Sequence, residues 1–284
     1  MRWGDGRRSD NVEDRRGSFG VRRVVGGGIG TVILVLVAMY FGVDPSVLLN
    51  MAPTGSSPPA ATSPASRPAE ENRMADFVSV VLADTEDTWR DLFQRSHMTY
   101  REPKLVLFTG SVESACGLAQ AASGPFYCPA DEKVYIDLGF YQELKDRFRA
   151  PGDFAQAYVI AHEVGHHVQN LLGISKKVQS ARARVGQTEG NRLSVRLELQ
   201  ADCFAGVWAN HADKARHILE TGDLEEALNA ASAIGDDRLQ KQSRGYVIPD
   251  AFTHGTSKQR VSWFRRGLES GEINQCNTFG SERR

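Results

Sequence analysis

The amino-acid sequence predicts an α+β fold in which one long helix precedes a small sheet and a series of helices. Residues 74–96 carry apolar side chains at helical spacing. Residues 104–140 contain short β-branched or aromatic runs that turn residues separate. From residue 151 onward the apolar pattern is helical again. Helices and strands that are segregated along the chain in this way indicate the α+β class.

Each predicted element has a local signal. The first helix, MADFVSVVLADTEDTWRDLFQRS, places on one face the side chains of Phe77, Val81, Trp89, Leu92 and Phe93. The strands are predicted in KLVLFTG, GPFYC and KVYIDLGF, and we expect a small sheet of antiparallel type. Asp153 is the predicted N-cap of the next helix, which Gly173 ends. A second long helix is expected over NRLSVRLELQADCFAGVWANHA, with shorter helices over residues 223–235 and 257–270.

The composition indicates one folded domain, for which we predict residues 74–284. The chain of 284 residues is 41% hydrophobic, which is enough apolar material for one large core. Its formal net charge of −1 provides no electrostatic case for a nucleic-acid partner. Residues 44–73 are rich in Pro, Ser, Ala and Thr, and they predict a disordered linker in front of this domain.

A transmembrane helix is predicted at residues 24–43, which are twenty residues without a charge. A cleavable signal peptide is the nearest alternative, a buried core helix is another, and a twin-arginine export signal around DRRGSFG is a weaker one. Residues 1–23 hold seven arginines, so the positive-inside rule predicts that they stay in the cytoplasm as a basic segment. The folded domain would then lie on the extracytoplasmic side of the cell membrane.

The four cysteines agree with an extracytoplasmic location, where disulfides can form. Cys116 and Cys128 flank a short loop and are the easiest pair to join. Cys203 with Cys276 would tie the C-terminal tail to a helix. Four cysteines allow three pairings, and four free buried thiols are the alternative.

The stretch AYVIAHEVGHHVQNLLG contains the pattern H-E-x-x-H as His162, Glu163 and His166. Histidines four positions apart lie on one face of a helix, close enough to bind one metal ion. The glutamate between them can reach a metal-bound water and act as a general base. His167 projects about 100° around the helix from His166, and we expect it to be structural.

A third metal ligand is predicted from the sequence RLELQAD, because hydrolytic zinc sites normally use three protein ligands. Glu198 and Asp202 are four residues apart and therefore share one helical face. We predict that Glu198 binds zinc, whereas Asp202 accepts a hydrogen bond from the free ring N–H of a ligand histidine. A surface pair of carboxylates is the alternative, but the apolar residues around this pair indicate a mostly buried helix.

Together, HEVGHHVQ and LELQADCFAGVW resemble the bacterial neutral zinc metallopeptidase family, whose members are membrane-anchored. The segments SDNVEDRR, CPADEKVYIDLGF and DAFTHGTSKQRVSWFRRGLESG resemble the same family, so the likeness covers almost the whole chain. The pattern is also similar to that of the wider gluzincin group, which implies a zincin-like domain. The resemblance implies one Zn²⁺ ion on His162, His166 and Glu198, with Glu163 as the general base.

The segment THGTSKQRV is similar to the T-H-P-x-x-x-x-R-I segment of membrane-associated gluzincins. That likeness implies that His254 stabilises the oxyanion of the reaction and that Arg260 helps to bind the substrate. Gly255 stands where those proteins have proline, so this loop departs from their pattern. A structural role is the alternative for His254.

These features predict a membrane-anchored zinc peptidase that hydrolyses peptide or protein substrates with a zinc-activated water. The strand KVYIDL is the predicted edge to which an extended substrate peptide would add. Two other classes of protein stay open: a catalytically silent zincin that binds envelope partners, and a zinc hydrolase of a non-peptide amide bond. The sequence indicates neither the substrate nor the oligomeric state.

Overall fold

The structure, a computed structural model, describes residues 1–17, 68–120 and 124–280. Within these ranges, Met1–Arg16 and the residues from Ala69 onward form one compact unit. The predicted transmembrane helix at residues 24–43 and residues 44–67 of the predicted linker lie outside the described ranges. Among the helices that are described, none is long and apolar enough to cross a membrane.

The described residues form eight α-helices and six strands. The helices are α1 Ala69–Arg95, α2 Gly139–Asp146, α3 Asp153–Leu171, α4 Ile174–Arg182, α5 Gln187–Arg216, α6 Asp223–Ala233, α7 Asp236–Arg244 and α8 Ser257–Ser270. The strands are β1 Val12–Asp14, β2 Lys104–Phe108, β3 Ser111–Ser114, β4 Gly117–Gln120, β5 Phe126–Cys128 and β6 Lys133–Asp137. This order confirms the predicted α+β class. Helices α2, α4 and α7 have no counterpart among the predicted elements, because segments this short show little periodicity.

The main sheet has the strand order β1-β2-β6-β5 and is mostly parallel, which differs from the predicted antiparallel type. Strand β2 pairs in parallel with both β1 and β6, whereas β5 pairs antiparallel with β6. Residues 109–132 provide the long crossover that parallel pairing of β2 with β6 requires. The continuous apolar run at residues 105–108 suits a strand that is buried on both faces. Strand β6 is internal, so the prediction that KVYIDL is an edge is wrong, and β5 takes that position.

The N-terminal residues belong to this unit, whereas the sequence predicts residues 1–23 as a separate segment. Strand β1 extends the sheet, and the Met1 ammonium lies 2.6 Å from Asp153 Oδ1 and 3.2 Å from Asp223 Oδ1. Arg7 also forms an ion pair of 2.8 Å with the buried Glu86 of α1. A helix that crosses a bilayer once would put residues 1–16 and the residues from 69 onward on opposite sides. Their packing in one unit is therefore at odds with the predicted single-pass arrangement.

Two helix boundaries also differ from the prediction. Helix α1 begins at Ala69, so residues 69–73 of the predicted linker are helical. The N-cap of α3 is Gly152, with a φ of 120°, and Asp153 is the first helical residue. The Asp153 carboxylate binds the Met1 ammonium instead of capping the helix, which is a contact that local sequence does not reveal.

Both disulfides that the sequence favours are present, Cys116–Cys128 and Cys203–Cys276. The first closes the segment that contains β4 and β5. The second ties the C-terminal tail to α5, where the Gln200 amide also donates a hydrogen bond of 2.9 Å to the Cys276 carbonyl. These four residues all lie in the described ranges, and none of them is a free thiol.

Candidate metal centre

Two buried helices, α3 and α5, carry the candidate metal ligands. Helix α3 contains the H-E-x-x-H pattern, and α5 contains Glu198 and Asp202. The two backbones approach closely at Gly165, where an added Cβ would lie only 3.0 Å from the Ala201 carbonyl oxygen. A glycine within the motif therefore allows the second helix to bring its carboxylates next to the two histidines.

The three predicted ligands come together. His162 Nε2 lies 3.2 Å from Glu198 Oε2, and His166 Nε2 lies 3.4 Å from Glu198 Oε1. The ligand atoms of all three residues lie within 4.8 Å of one another. Two imidazole nitrogens and one carboxylate oxygen form the donor set of catalytic zinc sites, which leave a fourth position for water. The side chains thus fit one zinc ion.

The carboxylates around His162 and His166 favour a positive charge between the candidate ligands. Burial lowers the pKa of His162, but the Asp202 and Glu198 carboxylates outweigh burial and raise this pKa to about 10. Burial lowers the pKa of His166 as well, and Glu198 gives it a net increase. Burial raises the pKa of Glu198, whereas the two histidines hold it well below its ordinary value. The same field would attract a metal cation.

Asp202 makes the contact predicted for it. His162 Nδ1–H donates a hydrogen bond of 2.9 Å to the Asp202 carboxylate, which is fully buried. The Tyr158 hydroxyl donates to the same oxygen at 2.5 Å. The bond from His162 to Asp202 fixes the imidazole tautomer with its proton on Nδ1. His162 Nε2 is then left to bind a metal. Tyr158 lies four residues before His162 on α3, a spacing that gave no signal in the sequence.

Arg260 of α8 balances the charge of Asp202. Its Nε and Nη2 groups donate hydrogen bonds of 2.9 and 2.8 Å to the two carboxylate oxygens. The arginine is only 2% exposed, and its guanidinium is directed at Asp202. We therefore assign Arg260 the role of holding Asp202 in place. The predicted contact of Arg260 with a substrate stays a prediction.

Two further side chains on α3 stabilise the site. His166 Nδ1–H donates a hydrogen bond of 2.9 Å to the side-chain oxygen of Gln169, so the ring presents Nε2 to Glu198 and to a metal at the centre. Gln169 in turn donates to the Leu197 carbonyl of α5 at 2.7 Å. His167 is fully buried, donates to the Arg101 carbonyl at 2.6 Å and accepts from Tyr127 of β5 at 3.1 Å. His167 is thus structural, as predicted, and it connects the metal helix to strand β5.

His254 lies in the loop before α8 and lines the same cleft as the metal ligands. Its Nδ1–H donates to the Asp236 carboxylate at 3.2 Å. The same carboxylate accepts the backbone N–H groups of Thr253, His254 and Gly255 at 2.6 to 2.9 Å. Asp236 at the start of α7 therefore fixes the whole loop. No local pattern in the sequence indicates this residue, because the contact spans 18 positions.

Gly255 explains why the loop departs from the T-H-P pattern. Its φ is +94°, in a region that proline cannot adopt, since the proline ring holds φ near −65°. An added Cβ would also lie 3.2 Å from the side chains of Val195 and Leu199 in α5. The loop conformation that places His254 at the cleft therefore depends on glycine here.

Replacing Asp236 with asparagine is expected to lower the pKa of His254. The hydrogen bond from Asp236 raises this pKa above its ordinary value, against a smaller effect of burial. The stabilising effect of the pair is therefore complete below about pH 6.5, the unfolded pKa, and is lost as the pH rises through the higher folded pKa. Titration of the His254 ring by NMR measures the change. An unchanged pKa in the variant would contradict the assignment of Asp236.

A cleft of about 1310 Å³ lies over the metal centre. Glu163 lines it beside the two histidines and is 8% exposed. Strand β5 contributes Phe126 and Tyr127 to the wall of the cleft, and α4 contributes Lys176 and Arg182. The cleft is large enough for several residues of an extended peptide to lie next to Glu163.

A second acidic group, formed by Asp153, Asp223 and Glu226, also has ligand atoms within 4.8 Å of one another. The Met1 ammonium already forms ion pairs with Asp153 and Asp223. A cation of the chain therefore balances this group, and we do not count it as a metal site.

Comparison with known proteins gives the family of the chain. It is 56% identical to the uncharacterized protein YpfJ of Escherichia coli K12 over 289 aligned residues, which cover 99% of both chains. It is 39% identical to the uncharacterized protein Mb2605 of Mycobacterium bovis over 259 residues, which cover 86% of this chain and 85% of that protein. No solved structure matches it. Residues 1–279 match the family described as "putative neutral zinc metallopeptidase", and the chain belongs to this family.

Proposed function

We propose that this protein is a zinc-dependent peptidase whose catalytic centre is His162, Glu163, His166 and Glu198. The observation that carries the proposal is the convergence of two histidine Nε2 atoms and one carboxylate in a cleft that Glu163 also lines. The match to a zinc metallopeptidase family supports it. Hydrogen bonds to Asp202 and Gln169 orient both histidines, so the ligand set is ordered before a metal binds.

Zinc, when bound, supplies a Lewis acid that polarises the substrate carbonyl and increases the acidity of water. His162, His166 and Glu198 would hold the ion. Glu163 accepts a proton from the attacking water and later donates it to the leaving amine. Asp236 holds His254 in place and raises its pKa. His254 would donate a hydrogen bond to the substrate carbonyl oxygen as negative charge develops there.

Strand β5 is the structural candidate for the strand to which a substrate adds. It pairs with β6 on one side only, and its residues line the cleft. An extended peptide can form main-chain hydrogen bonds with such an edge. The contact of Tyr127 with His167 holds β5 against the helix that carries the metal ligands.

We further propose that the domain acts outside the cytoplasm, because disulfides persist in oxidising compartments. The two disulfides of the structure support this location. Attachment to a membrane through residues 24–43 stays a prediction. If it occurs, the packing of residues 1–16 against the domain requires both to lie on the same side.

The decisive experiment incubates the full chain, loaded with zinc, with a mixed peptide library and identifies products by mass spectrometry. The full chain is required because residues 1–16 complete the sheet. Replacing Glu163 with glutamine is expected to lower the rate of hydrolysis by about 10²–10⁴-fold, since it removes the general base. Metal analysis must show that the variant keeps one zinc ion.

Four outcomes would contradict the proposal. Hydrolysis that survives a chelator, or that is equal in the Glu163→Gln variant, would show that another site or a contaminant cleaves the peptides. A zinc-loaded wild type that cleaves no peptide would favour a binding protein or a hydrolase of another amide bond. Failure of the wild type to bind zinc would remove the basis of the site.

A further inference from the structure

One wall of the cleft is formed by helix α4, which directly follows the helix with the metal ligands. Lys176, Gln179 and Arg182 of α4 all line the cleft. These residues are spaced three apart, so they lie on one side of the helix. Val178, the buried residue of α4, also lines the cleft. The cleft therefore faces a row of polar side chains with a positive charge at each end.

This positive charge is unusual for the chain as a whole. The formal net charge of the protein is −1, but residues 164–188 contain four basic residues, two lysines and two arginines, and no acidic residue. Because α4 has no acidic side chains of its own, it cannot neutralise Lys176 and Arg182 by pairs along the helix.

The other cationic residues of the cleft are neutralised, whereas these two are not. Arg147 lies 3.5 Å from Glu143, and Arg260 lies 2.8 Å from Asp202. Within the described part of the chain, neither Lys176 nor Arg182 has a carboxylate at ion-pair distance. The remaining carboxylates that line the cleft are Glu163 and Glu198, which belong to the catalytic centre. The wall is thus free to attract negative charge from a ligand.

We propose that Lys176 and Arg182 select substrates, and that the preferred substrates are peptides with aspartate or glutamate close to the cleaved bond. This inference rests on the proposed peptidase function and names its substrate class. Strand β5, which also lines the cleft, would bind the main chain of such a peptide, while α4 binds its acidic side chains. Complementary charge of this kind gives specificity and speeds association.

The size of the preference follows from the exposure of both cations. Ion pairs at exposed positions are weak, and each is expected to change binding by roughly twofold to fivefold. Two such pairs together give roughly a tenfold preference. The preference should decrease as salt is added, because the charges are accessible to counterions.

The test uses two decapeptide libraries that differ only at two fixed positions, which carry glutamate in one library and glutamine in the other. The wild-type full chain should cleave the glutamate library roughly tenfold faster at low salt. The K176Q/R182Q variant should cleave both libraries at similar rates. The matched control is K177Q/R184Q, which removes two charges from the same segment at exposed positions that do not line the cleft. The control should keep the preference.

Charge reversal sharpens the test. The K176E/R182E variant should prefer a third library that carries lysine at the two fixed positions. Equal rates of the wild type on the glutamate and glutamine libraries would overturn the proposal, although the peptidase function would stand. Loss of the preference in K177Q/R184Q to the same extent would also overturn it, because the effect would then come from the net charge of the protein.

A binding measurement separates this proposal from the proposed function. Fluorescence anisotropy measures binding of the labelled libraries to the Glu163→Gln variant. This measurement does not depend on hydrolysis. Tighter binding of the glutamate library, lost in K176Q/R182Q, would support the proposed class of ligand even if the wild type cleaved nothing. Equal binding of both libraries, together with equal cleavage, would show that α4 does not select the substrate.

Discussion

Replacing Arg260 with methionine is expected to lower the free energy of unfolding by about 3–5 kcal/mol and to weaken zinc binding. Asp202 is fully buried, and the variant would remove two of the hydrogen bonds that satisfy its charge. A buried carboxylate without its partner is among the most costly defects in a protein core. Because Asp202 also orients His162, we expect zinc affinity to fall by about 10–100-fold.

The pH dependence of the free energy of unfolding gives a second test of the Asp202–Arg260 ion pair. Burial raises the pKa of Asp202, but Arg260 and His162 outweigh burial and lower it to about 2. The pair therefore stabilises the wild type above about pH 4, the unfolded pKa, and this contribution is lost as the pH falls toward the folded pKa. As the pH falls from about 4 toward 2, we expect the wild type and the Arg260→Met variant to become more similar in their free energy of unfolding.

Urea denaturation and zinc competition with a chelator measure the two effects of Arg260. The control is Arg265→Met on the same helix, which removes an equal charge from an exposed position and should leave both quantities nearly unchanged. Arg260→Lys should fall between the wild type and the methionine variant, since lysine keeps the charge but loses the bidentate geometry. A methionine variant with wild-type stability would refute the assigned role of Arg260.

Removal of the Cys203–Cys276 disulfide is expected to cost about 4 kcal/mol of stability, and removal of Cys116–Cys128 about 3 kcal/mol. The bonds close segments with sequence separations of 73 and 12 residues, and the longer loop loses more entropy in the unfolded chain. The longer bond also holds the C-terminal tail on α5, the helix that carries Glu198, with help from a hydrogen bond of 2.6 Å from Thr278 to the Arg196 carbonyl.

The two double alanine variants, compared in urea denaturation at the same pH, measure this difference. Each serves as the control for the other, because both lose two cysteine side chains and one covalent link. If the Cys116–Cys128 variant proves the less stable of the two, loop length is not what decides the contribution of these bonds.

The candidate metal ligands are the part of the site that the sequence could predict. His162 and His166 are one turn apart on one helix, and Glu198 and Asp202 repeat that spacing on another, so local geometry determines which atoms of each pair lie together. No local pattern marks the residues that hold His254 and Asp202 in place. Asp236 and Arg260 act on groups 18 and 58 positions away, and no periodicity connects such distant residues.

In the main sheet, too, the sequence predicts the strands but not how they pair. The apolar runs of β2 and β6 predict strands, but a run of this kind is compatible with parallel or antiparallel pairing. The direction of pairing depends on the crossover of residues 109–132 and on the N-terminal strand β1. A three-residue strand in an arginine-rich segment has too little apolar material to be recognised in the sequence.

By itself, the sequence determined the helices that bear the H-E-x-x-H and E-x-x-x-D patterns and the α+β class, because each depends on local spacing. It favoured the two disulfides but left three pairings open, and the tertiary structure decided between them. Only the tertiary structure decided that residues 1–16 join the domain, that β5 is the edge at the cleft, and that Asp236 fixes His254. It also decided that Lys176 and Arg182 face the cleft without a partner among the described residues. These features arise from packing between segments that are distant in the chain, where burial and charge pairing rather than local propensity select the arrangement.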